Sequence, residues 1–598
     1  MTSLIRMMRY MRPYRWLVVI GVFTVILPVL MELLVPRMLQ YVIDDGIRAG
    51  DMDAIWLGSL VMLGGAVVGA VATLGQGICR AQLSQGMAFD MRNDLFQHIQ
   101  TLPFATLDQL QTGGLMTRIS SDVDIIRMFS SNGLALILRA MLMIIGSTVM
   151  VILTDWQLTI IMLVSLAAAG VLIWNFMRLA RPLFEIVQEK LAILNTIVQE
   201  NLAGAQVVKA FVREPYEVNR FAERNAAYMD QNIQVGQIMA LVMPALTILT
   251  NGGLVAVIWF GGVDVINERV SVGELIAFNN YLMIGMTPLL MLGNLLTMAS
   301  RAEASAVRVL EIFNTPLQVQ RAAAYQAPHL RGQIVFEDVT FRYDHAHENA
   351  HDNSRNGIHA APRNGSRDVL NHVSFRVEPG QRVALLGATG TGKSTLISLI
   401  ARFYDATEGR ILVDGVDVRE WDSESLRSQI GLVLQETTLF SGTVHENIAY
   451  GKPDASRDTV IAAAQAAQAH DFIMTMPGGY DSIVEARGAN LSGGQKQRLA
   501  IARALLIAPR VLILDDSTSA VDLDTEIKIQ DALERWLAGT TTIIIAQRIN
   551  SVLDADQIFV LDGGRIAASG THNELMQTCS IYQEIYQSQL GNHGSSII

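Results

Sequence analysis

The sequence predicts a multi-domain chain: an all-α polytopic membrane domain with long cytoplasmic helical extensions, followed by an α/β domain built on a phosphate-binding loop. Three observations carry this. The 598 residues exceed what one hydrophobic core accommodates. Long apolar runs are confined to roughly the first 300 residues, each close to membrane-spanning length. From Gln333 onward the pattern changes to short β runs alternating with amphipathic helices. The composition, 51% hydrophobic and 17% charged, is therefore an average over two unlike halves.

Crossing a hydrocarbon core of about 30 Å takes roughly 20 apolar residues. Six segments meet this: Trp16–Pro36, Trp56–Ile78, Leu134–Thr154, Leu158–Met177, Ile238–Phe260 and Leu275–Thr297. The connections after the second and fourth are long, about 55 and 60 residues, and the other three are short. The long ones hold about eleven Lys and Arg, whereas the short ones hold Arg37, Arg48 and Arg269 among eight acidic residues. By the positive-inside rule, both long connections and both termini face the cytoplasm. Leu4–Tyr14 reads as an amphipathic helix on the cytoplasmic membrane face, with Arg6, Arg9, Arg12 and Arg15 near anionic headgroups. It is not a signal peptide, because the apolar stretch that follows is too long and lacks a small-residue cleavage site.

Glu32 and Arg139 fall in or near spans, where a charge faces a cavity or a partner unless it snorkels to an interface. Asn279, Asn280 and the Met-rich run from Met283 to Met298 offer either a soft ligand surface or ordinary packing. The net charge of -11 leaves no basic stripe for nucleic acid. Cys79 and Cys579 stand in different halves, so no disulfide framework forms and neither has a metal-ligand spacing.

In the second half, IVFEDVTFRY and VLNHVSFRV read as antiparallel strands and RVALLG as a buried strand feeding a loop. That loop, Gly387 to Ser394, matches G-x-x-x-x-G-K-[ST] between an apolar strand and a helix. Gly387, Thr389, Gly390, Gly392 and Thr395 belong to the phosphate-binding segment, where backbone N–H groups and a helix N-terminus face an anion. Lys393 is expected to bridge the β- and γ-phosphates and Ser394 to ligate Mg²⁺. Val511-Leu-Ile-Leu-Asp515-Asp516 is a buried strand ending in carboxylates, of which Asp515 can hold the Mg²⁺ of bound ATP.

Leu491-Ser492-Gly493-Gly494-Gln495-Lys-Gln-Arg498 resembles the signature sequence of the ABC superfamily, about twenty residues before the carboxylate strand. With it nearly the whole chain resembles ABC exporters that fuse six spans to one ATP-binding cassette. The resemblance implies a transmembrane domain at 1–315, a linker at 316–332, a nucleotide-binding domain at 333–590 with a polar insertion at 344–368, and a tail at 591–598. It also implies that Tyr343 stacks on adenine, that Gln435 senses Mg²⁺ and the membrane loops, and that Asp522 is the D-loop residue. Coupling helices are expected near Gly113–Ser121 and Ala203–Phe211.

Two positions depart from the family pattern. Asp516 stands where hydrolysing cassettes carry Glu, one methylene longer, as general base. Gln547 stands where they carry the switch histidine; it can donate to the γ-phosphate but cannot become cationic. Ser492, Gly493, Gly494 and Gln495 of the signature are intact. This pattern resembles the degenerate-site subunit of heterodimeric bacterial multidrug exporters: a site that binds ATP and hydrolyses it poorly, and a signature that completes a different partner chain's competent site. The expected cargo is a hydrophobic or amphipathic small molecule or lipid, the partners a second half-transporter and membrane lipid, and the location the bacterial inner membrane. The alternatives are a homodimeric lipid or peptide exporter and an ATP-gated regulatory or channel subunit. The insertion carries His345, His347, His351 and His359, which lack apolar neighbours to order them and read as a surface segment rather than a metal site.

Overall fold

The computed structural model describes residues 2–110, 112–315, 325–327, 329–343, 368–516, 523–537, 539–546 and 549–590, without the side chains of 109, 290–294, 296, 523, 524, 550 and 590. The chain forms two compact units. One comprises Met1–Leu102 and Leu110–Pro316, the other Pro103–Gln109 and Leu317–Ile598.

The first unit is helical: α1 (Thr2–Arg48), α2 (Met52–Gln100), α4 (Thr112–Thr154), α5 (Trp156–Ala203), α6 (Ala205–Ala210), α7 (Glu214–Ile266) and α8 (Val272–Asn314). The short helix α3 (Phe104–Gln109) belongs to the second unit. Among the described residues, α1, α2, α4, α5 and α7 are long and apolar enough to cross a membrane. The sixth predicted segment, Leu275–Thr297, lies inside the 43-residue α8.

Acidic residues in the short connections begin the helices that follow. Asp51 accepts from Asp53 N at 2.9 Å to open α2, and Asp155 accepts from Gln157 N and Leu158 N at 2.6 and 3.1 Å to open α5. Both satisfy amides that no helical carbonyl can reach. Ser271 and Glu274 form a capping box at the start of α8. Asp44 also accepts from Ser271 Oγ and, at 3.0 Å, from Gly273 N, joining the first short connection to the last.

At the N-terminus, Leu4, Met7 and Tyr10 are buried at helical spacing while Arg6, Arg9, Arg12 and Arg15 are exposed. Glu32 and Arg139 face each other: Arg139 Nη2 donates to Glu32 Oε2 at 3.0 Å. Each thereby neutralises the other, the usual solution for charge at membrane depth. Asn280 donates to Ile276 O of its own helix, Met286 is buried and Met283 exposed. In the long connections, the buried Asp122 accepts from Ser305 Oγ at 2.8 Å and Arg308 Nε at 2.9 Å. Asp122→Ala leaves the buried Ser305 hydroxyl without its acceptor, while the half-exposed Arg308 can turn to water, and should lower stability by about 1–2 kcal/mol. A thermal melt of the purified chain in detergent reads this as a fall of several degrees.

Among the described residues the second unit holds twelve strands: β1 (Ile334–Phe341), β2 (Leu370–Val377), β3 (Arg382–Gly387), β4 (Glu408–Val413), β5 (Val416–Asp417), β6 (Ile430–Val433), β7 (Gly442–Thr443), β8 (Ile483–Val484), β9 (Val511–Asp515), β10 (Thr541–Ile545), β11 (Gln557–Asp562) and β12 (Arg565–Gly570). They form a four-stranded sheet, β2-β1-β4-β5, a six-stranded sheet, β12-β11-β3-β10-β9-β6, and a two-stranded ribbon, β7-β8. The two segments read as antiparallel strands are β1 and β2, and they pair in that sense. In the larger sheet β11, β3, β10, β9 and β6 run parallel, so their carboxyl ends share one edge. Val383, Leu385, Ile513 and Ile543 pack on one face and Leu386, Leu512, Leu514 and Ile544 on the other. Burial on both faces explains why these strands read as unbroken apolar runs.

The first coupling segment needs one correction. The part of the first long connection that joins the α/β unit is Pro103–Gln109, whereas 113–121 remains in the helical unit. The reason is aromatic: Phe104 stacks on Phe403 at 5.0 Å and meets the edge of Tyr404 at 5.8 Å, and Tyr404 donates to Asp108 Oδ2 at 2.8 Å. Burial and then the Asp108 carboxylate push the Tyr404 phenol well above its ordinary range. Removing the ring with Phe104→Ala gives up an aromatic pair of about 1 kcal/mol. Amide exchange over 104–109 should rise several-fold in a hydrogen-exchange experiment.

Candidate nucleotide site

The phosphate-binding loop leaves β3 and enters helix α9 (Lys393–Ile400). Gly392, the residue before this helix, has φ +97°, and a Cβ there would sit 2.6 Å from Leu370 Cδ2 and 3.0 Å from Val369 O. Only glycine fits both the left-handed backbone and the close neighbour. Ala388, Thr389 and Gly390 form the exposed rim, and the buried Thr391 donates back to Ala388 O at 2.9 Å.

Lys393 is buried, and its ammonium donates to Gly387 O at 2.7 Å and Ala388 O at 2.8 Å. Burial lowers its pKa, opposed by the nearby Asp515 and Asp516 carboxylates. The ammonium thus curls into its own loop, from which it can turn outward to phosphate oxygens. Ser394 Oγ donates to Asp515 Oδ2 at 3.1 Å, although the two are 121 residues apart. Strand pairing brings them together: Ile545 of β10 lies opposite Leu385 of β3 on one side and Asp515 of β9 on the other.

Asp515 is buried, and burial pushes its carboxyl above the ordinary range despite the Ser394 hydrogen bond. Among the described residues no group of three His, Cys, Asp or Glu could hold a metal by itself. Ser394 and Asp515 could supply two oxygen ligands to a Mg²⁺ that arrives with phosphate oxygens, which is how this ion is usually held. Since that ligation requires the ionised carboxylate, acidification should weaken Mg²⁺-dependent ATP binding at a higher pH than an exposed aspartate would require. Mg²⁺ titrations of nucleotide binding from neutral to mildly acidic pH check this.

Asp516 follows β9 with φ +46°, and its N–H donates to Ile545 O at 2.9 Å. The left-handed region is tolerated by Asp better than by longer side chains. Gln435 is exposed two residues beyond Val433, which pairs with Leu514, and so leaves the sheet at the same edge as Asp516. Tyr343 shares a hydrogen bond of 3.1 Å with Thr395 Oγ1, and its ring lies edge-to-face with Phe341 and Tyr404. Gln547, Asp522 and the four insertion histidines lie outside the described residues. The strand before Gln547, β10, ends between the phosphate-loop strand and the Asp515 strand.

The signature residues occupy another helix, α10 (Gly493–Leu506). Ser492 is its N-cap: its Oγ accepts from Gln495 N at 3.3 Å while Gln495 Oε1 accepts from Ser492 N at 2.9 Å. Ser492 and Gly493 are exposed, with Gly494 and Gln495 half-buried behind them. A capped, exposed helix N-terminus of this length can receive an anion presented from outside. The residues that sequence reasoning passed over are Phe104, Phe403 and Tyr404. Their one signal is an aromatic pair at the end of the helix after the phosphate loop.

Residues 18–289 match the family model described as ABC transporter transmembrane region, and residues 370–519 match that described as ABC transporter. The ABC transporter ATP-binding protein YfiB of Bacillus subtilis is 37% identical, covering 98% of this chain and 98% of its own. The chain belongs to the ABC transporter family. This ABC exporter chain is also 35% identical to YgaD of Bacillus subtilis, an ATP-binding/permease protein provisionally named for multidrug export, with 98% and 99% coverage. A solved bacterial Atm1-family ABC exporter with ATP bound matches with a TM-score of 0.79 and 28% identity, over 96% of this chain and 98% of that one. The chain is therefore a half-transporter: a helical membrane region fused to an ABC ATPase domain, whose hydrolysis of ATP drives transport across the family.

Proposed function

We propose that this chain is one half of a heterodimeric exporter that moves hydrophobic or amphipathic compounds, drugs or lipids, outward by alternating access. It would sit in a bacterial inner membrane with both termini and the ATPase domain in the cytoplasm, as the distribution of Lys and Arg among the connections argues. The observation that carries the reading is Asp516. Its short carboxylate, on a left-handed backbone at the end of β9, follows the Asp515 that can ligate Mg²⁺.

A general base must come within hydrogen-bond reach of the water it activates. Glutamate at this position would extend one methylene farther than Asp516. Tyr343, the loop Gly387–Gly392, Lys393, Ser394, Thr395, Asp515 and Gln435 would hold Mg·ATP, with Gln547 giving the γ-phosphate a neutral donor. Bound ATP would join the two cassettes and turn over slowly here. Ser492 and Gly493, exposed at the start of α10, with Gly494 half-buried behind them, would face the nucleotide of the partner, whose own Glu and His would perform hydrolysis. The provisional naming of YgaD for multidrug export supports an amphipathic cargo.

The test compares the chain purified alone with the chain co-purified with a second half-transporter carrying Glu and His at the matching positions. The expected result is slow turnover alone and rapid, substrate-stimulated turnover in the pair. Full-rate hydrolysis and transport by the chain alone would overturn the heterodimer reading.

A further inference from the structure

A cavity of about 170 Å³ opens where the N-terminal segment, the start of the first predicted span, the end of the second and the start of the third come together. Met11, Leu17, Val25, Leu83, Leu134 and Leu138 make most of its wall apolar. Arg80 is its only charged lining residue, two positions beyond the predicted end of the second span at Ile78. This side chain is exposed, and among the described residues it forms no ion pair or hydrogen bond. Ser130, also in the wall, is 3% exposed, and its buried hydroxyl has no hydrogen-bond partner. The groove therefore pairs an apolar channel with a cation that has no partner among the described residues and, in the same wall, an unsatisfied buried hydroxyl.

We propose that this groove binds an anionic phospholipid from the surrounding leaflet, the acyl chain lying in the apolar channel and the headgroup phosphate on Arg80. No acidic side chain lines the groove to compete for the guanidinium. Arg12 and Arg15, exposed on the adjoining segment, add positive potential at the same rim. The arginine stem can lie along the wall while its head meets the phosphate at the interface, and Ser130 can donate to a polar oxygen at the glycerol level. A free phosphate would satisfy Arg80 and leave the apolar channel unfilled. The inference rests on the membrane placement proposed above and on nothing about ATP turnover or the partner.

The test uses the full-length transporter, co-purified with its partner where one is required and stripped of lipid in detergent. Native mass spectrometry then follows retention of phosphatidylglycerol and of phosphatidylcholine with the same chains, and a diazirine-chain phosphatidylglycerol maps the contact. We expect about fivefold preference for phosphatidylglycerol, the contribution of one basic side chain at a membrane surface. Photolabel should fall on peptides containing Ala135 and Leu138. Arg80→Gln should remove most of the headgroup preference, leaving only what Arg12 and Arg15 supply, and Ala135→Trp should displace both lipids by filling the channel. Both variants should keep the thermal shift induced by ATP, which shows that they are folded. Labelling elsewhere, an unchanged preference in Arg80→Gln, or displacement of the lipid by inorganic phosphate would overturn the inference. If lipid binds as expected but the chain transports unaided, the heterodimer reading fails and this one stands.

Discussion

Replacing Asp516 with Glu in the co-purified pair should raise ATP turnover at this chain's own site by about 10²-fold, the lower end of what a positioned general base contributes. The gain is expected to be larger with Gln547→His in the same chain, because both groups act on the γ-phosphate end. The left-handed backbone at Asp516, φ +46°, sets a limit. Glutamate tolerates that conformation less well, so the variant should lose about 1 kcal/mol of stability unless the turn relaxes. Single-turnover measurements with the partner's glutamate removed isolate the site. No gain in either variant would mean that the strand-end carboxylate does not limit hydrolysis here.

The second large effect belongs to Lys393. Lys393→Met should weaken ATP binding by about 10²- to 10⁴-fold, since two charge-assisted hydrogen bonds to phosphate, about 1.5–3 kcal/mol each, are lost. Without nucleotide the sign should reverse. The buried ammonium, its pKa lowered by burial, is costly to hold in the empty loop, so the variant should melt no lower than the parent. Thermal melts with and without Mg·ATP separate these: an unchanged or raised midpoint in its absence, and a missing shift in its presence. A normal ATP-induced shift would remove Lys393 from the binding site.

The phosphate loop was legible because its chemistry is local. The glycine at 392 is demanded by a backbone of φ +97° and a wall 2.6 Å away, and Lys393 and Ser394 are covalently next to it. The signature was legible for the same reason, as one N-cap and its third residue. Asp122 was not singled out, because its value lies in Ser305 and Arg308, which helix packing brings to it from 183 and 186 residues away. The misplaced docking segment has the same origin. Only the folded cassette presents Phe403 and Tyr404 to Phe104 and Asp108.

By itself the sequence determined the division into an apolar helical half and an α/β half, the ATP-binding motifs, and the two substitutions at Asp516 and Gln547. Each is written in spacing along the chain, at ranges where side-chain type dictates conformation. Tertiary structure alone decided which distant groups meet. It joined Glu32 to Arg139, choosing a partner over a cavity or an interface, and it set Ser394 against Asp515 through the order of parallel strands. It also left Arg80 without an ion-pair partner among the described residues, beside an apolar channel. Charge partners are chosen by packing over a hundred residues or more, and no local pattern records that choice.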